Sequence, residues 1–287
     1  MKKDKKIGLV LEGGSMRGMF TMGVLDIFMD NNIPIDGIIG VSAGALFGPN
    51  YYSRQRSRAL RYNQRFCKNP RFMSFWSFLF TGNLVNKQFA FYDVTLKYDL
   101  FDNETFKENN KGYYAVCTNV ETGQAEYLEM TDVLQEMEIL RATSAIPVVS
   151  KMVEWKGKHY LDGGISDSIP IRQCQKMGYD KIIVVLTRPI EYRKKPLSSI
   201  MLNLIQLKYQ KYPNLIEAMK NRHTDYNNTV EYIQKLEAQK QIFVIRPSVP
   251  IHLKTIERNP DHLQEVYDLG CTDAQKQLND LIEYLNE

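Results

Sequence analysis

Residues 7–18 read Ile7-Gly-Leu-Val-Leu-Glu-Gly-Gly-Ser-Met-Arg-Gly18, and residues 35–44 read Ile35-Asp-Gly-Ile-Ile-Gly-Val-Ser-Ala-Gly44. Each is a short apolar run that meets glycines. A run of this kind, bounded by turn residues, predicts a buried strand. Behind the first, Met19, Met22, Val24, Leu25 and Phe28 keep helical spacing until Asn31-Asn32 stops it. Behind the second, residues 43–52 can continue as a helix. Strand, helix, strand, helix within about fifty residues predicts right-handed crossovers and a parallel sheet.

Further along, residues 113–120 and 124–130 predict a hairpin around Glu121-Thr-Gly123, and residues 152–155 and 159–161 a second around Lys156-Gly-Lys158. Residues 132–141 and 171–177 read as helices, the second closed by Gly178. Residues 181–187 form another buried strand of parallel type. After Pro189 the chain turns basic and loop-like as far as Pro196. Helices are expected at 197–209, 215–239 and 261–285, with one strand at 241–246. Thr187-Arg-Pro189 and Ile245-Arg-Pro247 end two strands alike, which points to one shared sheet.

The chain has 287 residues, enough for one large domain or two ordinary ones. It is 44% apolar and 24% charged, which describes a soluble globular protein and excludes a disordered chain. The start, Met1-Lys-Lys-Asp-Lys-Lys6, resembles the basic flank of a signal peptide, but Glu12 ends the apolar run that follows too early for one. No stretch approaches the roughly 18 apolar residues of a membrane span. Cys67, Cys117, Cys174 and Cys271 show no C-x-x-C spacing, and His159, His223, His252 and His262 form no H-E-x-x-H. A reduced, cytoplasmic protein without metal or other cofactor is the expectation.

Three short motifs carry chemistry. Gly40-Val-Ser42-Ala-Gly44 is a G-x-S-x-G set where a strand passes into a helix, the setting a nucleophile turn requires. Its glycines leave room for a serine at strained backbone angles, and the following helix points its positive end at the reacting centre. The rival reading is a glycine-rich turn with an incidental serine. Gly13-Gly14-Ser15-Met16-Arg17-Gly18 breaks G-x-G-x-x-G at Ser15 and the Walker pattern at Met19, which disfavours a nucleotide. Its converging backbone N–H groups suit an oxyanion hole, with a plain tight turn as the alternative. Asp162-Gly163-Gly164 taken alone reads as a turn. Together the three make up an acyl-transfer site that has no histidine at a familiar spacing.

These residues resemble the patatin-like phospholipase family. Glu12-Gly-Gly-Ser-Met-Arg-Gly18 is similar to its acidic-G-G-G-x-R/K-G loop, and Gly40-Val-Ser-Ala-Gly44 to its G-x-S-x-G. Arg141-Ala-Thr-Ser-Ala-Ile-Pro147 resembles its A-S-x-A-x-P block and Asp162-Gly-Gly164 its D-G-G/A. The resemblance implies a three-layer α/β/α fold with a mostly parallel central sheet over a catalytic domain at residues 1–190. Residues 191–287 would form a mainly helical extension on the same core, adding one strand. It further implies a Ser–Asp dyad with Ser42 as nucleophile and Asp162 as general base. The amides of Gly13, Gly14 and Ser15 would bind the oxyanion, Arg17 and Gly18 would complete that loop, and Gly40 and Gly44 would frame the nucleophile turn. Ser15 replaces the family's third loop glycine; at positive φ a serine costs on the order of 1 kcal/mol.

The implied activity is hydrolysis of lipid acyl esters, of phospholipase A, lysophospholipase or carboxylesterase type. Two rivals stand beside it. One is an α/β-hydrolase with Ser42, Asp162 and a downstream histidine. The other is a lipid-binding or regulatory protein with a weakened site, to which Ser15 points.

The formal charge of +4 is unevenly placed: residues 37–92 hold no Asp or Glu and carry +8, leaving −4 elsewhere. Arg54, Arg58, Arg61, Arg65 and Lys68 follow the spacing of one helix face, and Phe72, Phe75, Trp76, Phe78 and Phe80 come next. Arg54, Arg58, Arg61, Arg65, Phe75 and Trp76 are therefore expected contacts to substrate lipid or to an anionic membrane surface. A solvated helix face beside core or lid aromatics is the alternative. No nucleic-acid motif accompanies the charge, so nucleic acid is not an expected partner.

Overall fold

The computed structural model describes residues 5–287; the first four residues of the basic start lie outside the described residues. The described residues form one eight-stranded sheet of β1 (Ile7–Leu11), β2 (Gly37–Val41), β3 (Tyr113–Asn119), β4 (Ala125–Glu129), β5 (Val153–Trp155), β6 (Lys158–Asp162), β7 (Lys181–Val185) and β8 (Phe243–Ile245). The helices up to β3 are α1 (Gly18–Asp30), α2 (Ala43–Phe47), α3 (Pro49–Tyr52), α4 (Arg58–Phe66), α5 (Phe75–Thr81) and α6 (Asn103–Asn109), with a π-helical stretch at Lys87–Tyr98. Later come α7 (Met137–Thr143), α8 (Ile171–Lys176), α9 (Ser199–Lys208), α10 (Pro213–Ala238), α11 (Pro260–Lys276) and α12 (Leu278–Asn286).

The strand order is β5-β6-β3-β2-β1-β7-β8, with β4 also paired to β3. β1, β2, β3, β7 and β8 run parallel, as the apolar runs predict. Both expected hairpins form, β3 with β4 and β5 with β6. β8 lies beside β7, so the two strands that end in Arg-Pro do share one sheet. Strand residues alternate between two buried faces, the consequence of a side-chain period of two. Leu9, Leu11, Ile38 and Ile183 face one core with α1 and α11; Val10, Ile39, Val41 and Val184 face the other with α8 and α10. The protein is thus a three-layer α/β/α fold with a mostly parallel sheet and a helical C-terminal extension. That extension packs on the same core: the Tyr267 hydroxyl on α11 donates to Asp26 Oδ2 on α1 at 2.5 Å.

One register positions the site. β2 and β4 overlap along β3 at residues 114–116, so they occupy opposite edges of it. β4 and β6 overlap at Cys117 and Thr118, so β6 lies on the β2 edge. Val41 pairs with Val116 and Asp162 with Cys117. β2 runs parallel to β3 and β6 antiparallel, so the two strands meet with their C-terminal ends.

Four boundaries differ from expectation. The helix expected at 132–141 begins at Met137, because side chains capture the backbone before it. Asp132 Oδ1 accepts from the amides of Leu134 and Gln135, and Glu136 Oε2 from those of Thr131 and Asp132. The run at 43–52 is two short helices, since Pro49 has no N–H to donate. The helix expected at 261–285 breaks at Gln277. The arginine helix begins only at Arg58, after Arg54 and Ser57 take positive φ of 55° and 57°.

Candidate active site

Ser42 joins β2 to α2 at φ 50° and ψ −119°, a conformation rare for any residue with a Cβ. Close packing enforces the turn. A Cβ on Gly44 would stand 2.6 Å from the Leu11 carbonyl oxygen, and one on Gly40 2.7 Å from the Ala45 backbone. The Ser42 amide donates to Thr143 Oγ1 at 3.0 Å, and that hydroxyl donates to the Val116 carbonyl at 2.5 Å. The Ala-Thr-Ser-Ala block therefore braces the turn from α7.

Asp162 ends β6. Its Oδ2 accepts from Ser42 Oγ at 2.7 Å and its Oδ1 from the Gly164 amide at 2.8 Å. Thr118 Oγ1 donates to the Asp162 carbonyl at 2.8 Å and holds the strand end in place. Burial raises the pKa of this carboxyl, while Arg222 and the bonds from Ser42 and Gly164 pull it back.

The loop after β1 lies against the same serine. A Cβ built on Gly13 would come 3.2 Å from the Ser42 Cβ. The amides of Gly13 and Gly14 donate to no other group among the described residues. Ser15 has φ 50°, so the position does sit in the region that favours glycine. Glu12 anchors the loop: its carboxylate accepts from the Thr187 amide at 2.5 Å, from Thr187 Oγ1 at 3.1 Å and from the Tyr226 hydroxyl at 2.8 Å. Arg17 follows the loop with its Nε buried and unpartnered among the described residues; burial lowers its pKa, and Arg188 adds to that. Gly18 opens α1 against Phe47 of α2.

Ser42 borders two cavities of opposite character. One, with about 930 Å³ between its walls, runs under Leu46, Phe72, Phe91, Phe101, Met137 and Leu140. The other, with about 850 Å³, contains Asp162 together with Arg17, Arg188, Lys194 and Arg222. Ser15, Ser42 and Ile146 line both. No histidine lines either. His159 and His252 are exposed, His223 Nδ1 faces the Lys220 carbonyl, and His262 pairs with Glu257 at 3.5 Å. The described residues hold no group of three or more metal-ligating side chains.

The basic segment is arranged differently from a free lipid-facing surface. Arg58 is buried: its Nε and Nη2 donate to the Asp99 carbonyl at 3.1 and 2.6 Å, and its side chain lines the apolar cavity. Arg61 pairs with Asp99 at 3.1 Å, and Arg65 donates to the Tyr98 carbonyl at 3.1 Å. Arg54 is off the helix, over the Tyr51 ring. The reason is that carboxylates outside the acid-free window fold back onto it; Asp30 takes Arg56 in the same way. The aromatics divide. Phe72 is buried, whereas Phe75, Trp76 and Phe80 on α5 are 64%, 58% and 79% exposed.

Sequence reading expected a helix at 197–209 but gave it no role; α9 forms there and exposes Ile200, Leu204 and Leu207. Its Lys208 Nζ donates to the Val148 carbonyl at 2.8 Å, and the next residue, Tyr209, accepts the Val148 amide at 3.0 Å. The loop after α5 binds the same strap: Leu84 N–H donates to Val149 O at 2.9 Å and Lys151 N–H to Asn83 Oδ1 at 2.9 Å. Ile146 and Pro147, which begin that strap, line the polar cavity at Ser42.

A family model described as "Patatin-like phospholipase" matches residues 9–174, more than half of the chain. A second, "Domain of unknown function (DUF6363)", matches residues 212–286. The chain is 29% identical over 271 residues to the uncharacterized protein YjjU of Escherichia coli strain K12, covering 92% of this chain and 75% of that one. It is 26% identical over 203 residues to lysophospholipase NTE1 of Meyerozyma guilliermondii, covering 63% of this chain but only 12% of that protein. The crystal structure of VipD from Legionella pneumophila covers 97% of this chain and 67% of its own, at 12% identity and a TM-score of 0.47, too distant to bear on function.

Proposed function

Because this chain belongs to the patatin-like phospholipase family, we propose that it is a serine hydrolase of lipid acyl esters working through Ser42 and Asp162. The observation that carries this reading is the 2.7 Å bond from Ser42 Oγ to the buried Asp162 carboxylate, beside the Gly13 and Gly14 amides, which have no acceptor among the described residues. Asp162 takes the hydroxyl proton as Ser42 attacks the ester carbonyl. The amides of Gly13 and Gly14 receive the developing oxyanion, and the alcohol leaves with the proton. Water activated by Asp162 then releases the acid from the acyl-enzyme. An aspartate at its ordinary pKa is a weak base for a hydroxyl, so the upward shift from burial serves the reaction. The apolar lining of the first cavity suits an acyl chain.

The absence of histidine from both cavities favours the dyad over a Ser–Asp–His triad. No helix among the described residues is long and apolar enough to cross a membrane. Lipid is reached by peripheral contact: α5 and α9 carry exposed apolar faces that suit the headgroup boundary of a bilayer, and Asn83, Leu84, Lys208 and Tyr209 at their ends hold one strap next to Ser42. The testing experiment is a fluorophosphonate probe with a lysophospholipid assay. Labelling at Ser42 that disappears in Ser42→Ala, together with fatty acid release, is the expected result. A folded wild type that neither labels nor hydrolyses overturns the hydrolase reading and favours a lipid-binding protein.

A further inference from the structure

The polar cavity beside Ser42 holds more positive charge than the hydrolysis uses. Arg17, Arg188, Lys194 and Arg222 line it against two carboxylates, Glu12 and Asp162. Both carboxylates are already engaged, by Thr187 and Tyr226 and by Ser42 and Gly164. None of the four cations has an ion-pair partner within 4.0 Å among the described residues.

These cations are nevertheless held in place. The Arg188 guanidinium lies 4.2 Å over the Tyr192 ring, and Lys194 Nζ lies 4.1 Å over the Tyr226 ring. The two rings pack edge to face at 5.9 Å. The Lys194 amide donates to Asn227 Oδ1 at 2.8 Å, and Asn227 Nδ2 returns a bond to the Lys194 carbonyl at 3.1 Å. Arg222 Nε donates to the Gly164 carbonyl. Burial and the neighbouring Arg222 push the Lys194 ammonium down to about 7. Excess positive charge in a partly buried, preformed cavity is costly until an anion enters.

Resting on the hydrolase reading above, we propose that this cavity is a phosphate subsite, in which Arg188, Lys194 and Arg222 hold the phosphate of a glycerophosphate head group. The acyl chain then occupies the apolar cavity, and the ester carbonyl falls at Ser42, which borders both. The substrate class is an acyl ester with an anionic phosphate head. None of the three cations belongs to the serine, aspartate or glycine-loop motifs. Arg222 comes from α10, so the C-terminal extension supplies part of substrate recognition.

Calorimetry on the full chain carrying Ser42→Ala tests the subsite without any turnover. The titrants are sn-glycerol 3-phosphate, inorganic phosphate and glycerol. The phosphates are expected to bind and glycerol not. Arg188→Gln and Lys194→Gln should each weaken binding roughly 10-fold or more, with Lys194→Arg retaining it and melting curves verifying the fold. No phosphate binding, or binding that both glutamine variants leave intact, overturns the subsite even if the hydrolase reading stands. A second arm compares kcat/KM for 1-acyl-glycerol 3-phosphate and 1-acyl-glycerol in the Ser42 enzyme. A preference for the phosphate ester that collapses in the glutamine variants assigns the site to the head group. Phosphate binding without such a preference overturns that assignment in favour of a free phosphate ion.

Discussion

Tyr226 donates its hydroxyl to Glu12 Oε1 across 2.8 Å, joining a helix of the C-terminal extension to the loop beside Ser42. Both groups are buried. Tyr226→Phe removes the donor and leaves that carboxylate oxygen without it, which should cost about 1–3 kcal/mol of stability. Denaturant unfolding measures this. A variant as stable as the wild type would mean that Glu12 is held by Thr187 alone.

Ser42→Ala and Asp162→Asn should each lower kcat for ester hydrolysis on the order of 10⁴-fold or more. Single replacement of His159, His223, His252 or His262 should leave it within a few-fold. A folded histidine variant as inactive as Ser42→Ala would replace the dyad with a triad.

The pH profile follows from the surroundings of Asp162. Burial raises its pKa, and Arg222 is the largest influence pulling it down. The base must be ionised, so kcat/KM is full above this pKa and falls as pH drops through it. Arg222→Gln removes the cation and should move the acid limb to higher pH, measured with a neutral ester. A limb that stays in place excludes Asp162 as the titrating base.

Trp76→Glu on α5 and Leu204→Glu on α9 should each weaken binding to phospholipid vesicles about 10-fold, measured by co-sedimentation. The arginines behave otherwise. Arg58→Ala should destabilise the fold, because Arg58 is buried against Asp99. Vesicle binding that ignores both glutamates would remove α5 and α9 as the contact surface.

Ser15→Gly should raise stability by roughly 0.5–1 kcal/mol, since a glycine adopts φ 50° without the cost a Cβ incurs. Only a long 3.4 Å contact from Ser15 Oγ to the Thr255 carbonyl is lost. A fall in stability would show that this contact matters more than the backbone.

The parallel core was legible because β1, β2 and β7 are short unbroken apolar runs between glycines and polar turns. Ser42 and the loop at Gly13 were legible because glycines mark where backbone must come close to other backbone. The acid-free window misled for a physical reason. Local charge counts cannot see Asp30 and Asp99, which fold onto it from outside. The cationic cavity was hidden by distance along the chain: Arg17, Arg188, Lys194 and Arg222 meet only after β1, β7 and α10 have packed. The late start of α7 was hidden too, since Asp132 and Glu136 are acceptable in a helix until their carboxylates find free amides.

The head-on meeting of β2 and β6 along β3 has a bearing on how this protein can vary. The spacing of Ser42 and Asp162 is set by neighbouring rungs on β3, where the β2 ladder ends at Val116 and the β6 ladder begins at Cys117. A rung is about 3.3 Å, and a slip of one residue also turns a side chain to the other face of the sheet. Insertions in the 43–112 connection, or at the tip of the β5–β6 hairpin, leave that ladder untouched. A single residue inserted within β6 would carry the carboxylate out of reach of the serine. The connections are therefore free to diversify, while the Ser42–Asp162 pair stays locked to the lattice of backbone hydrogen bonds.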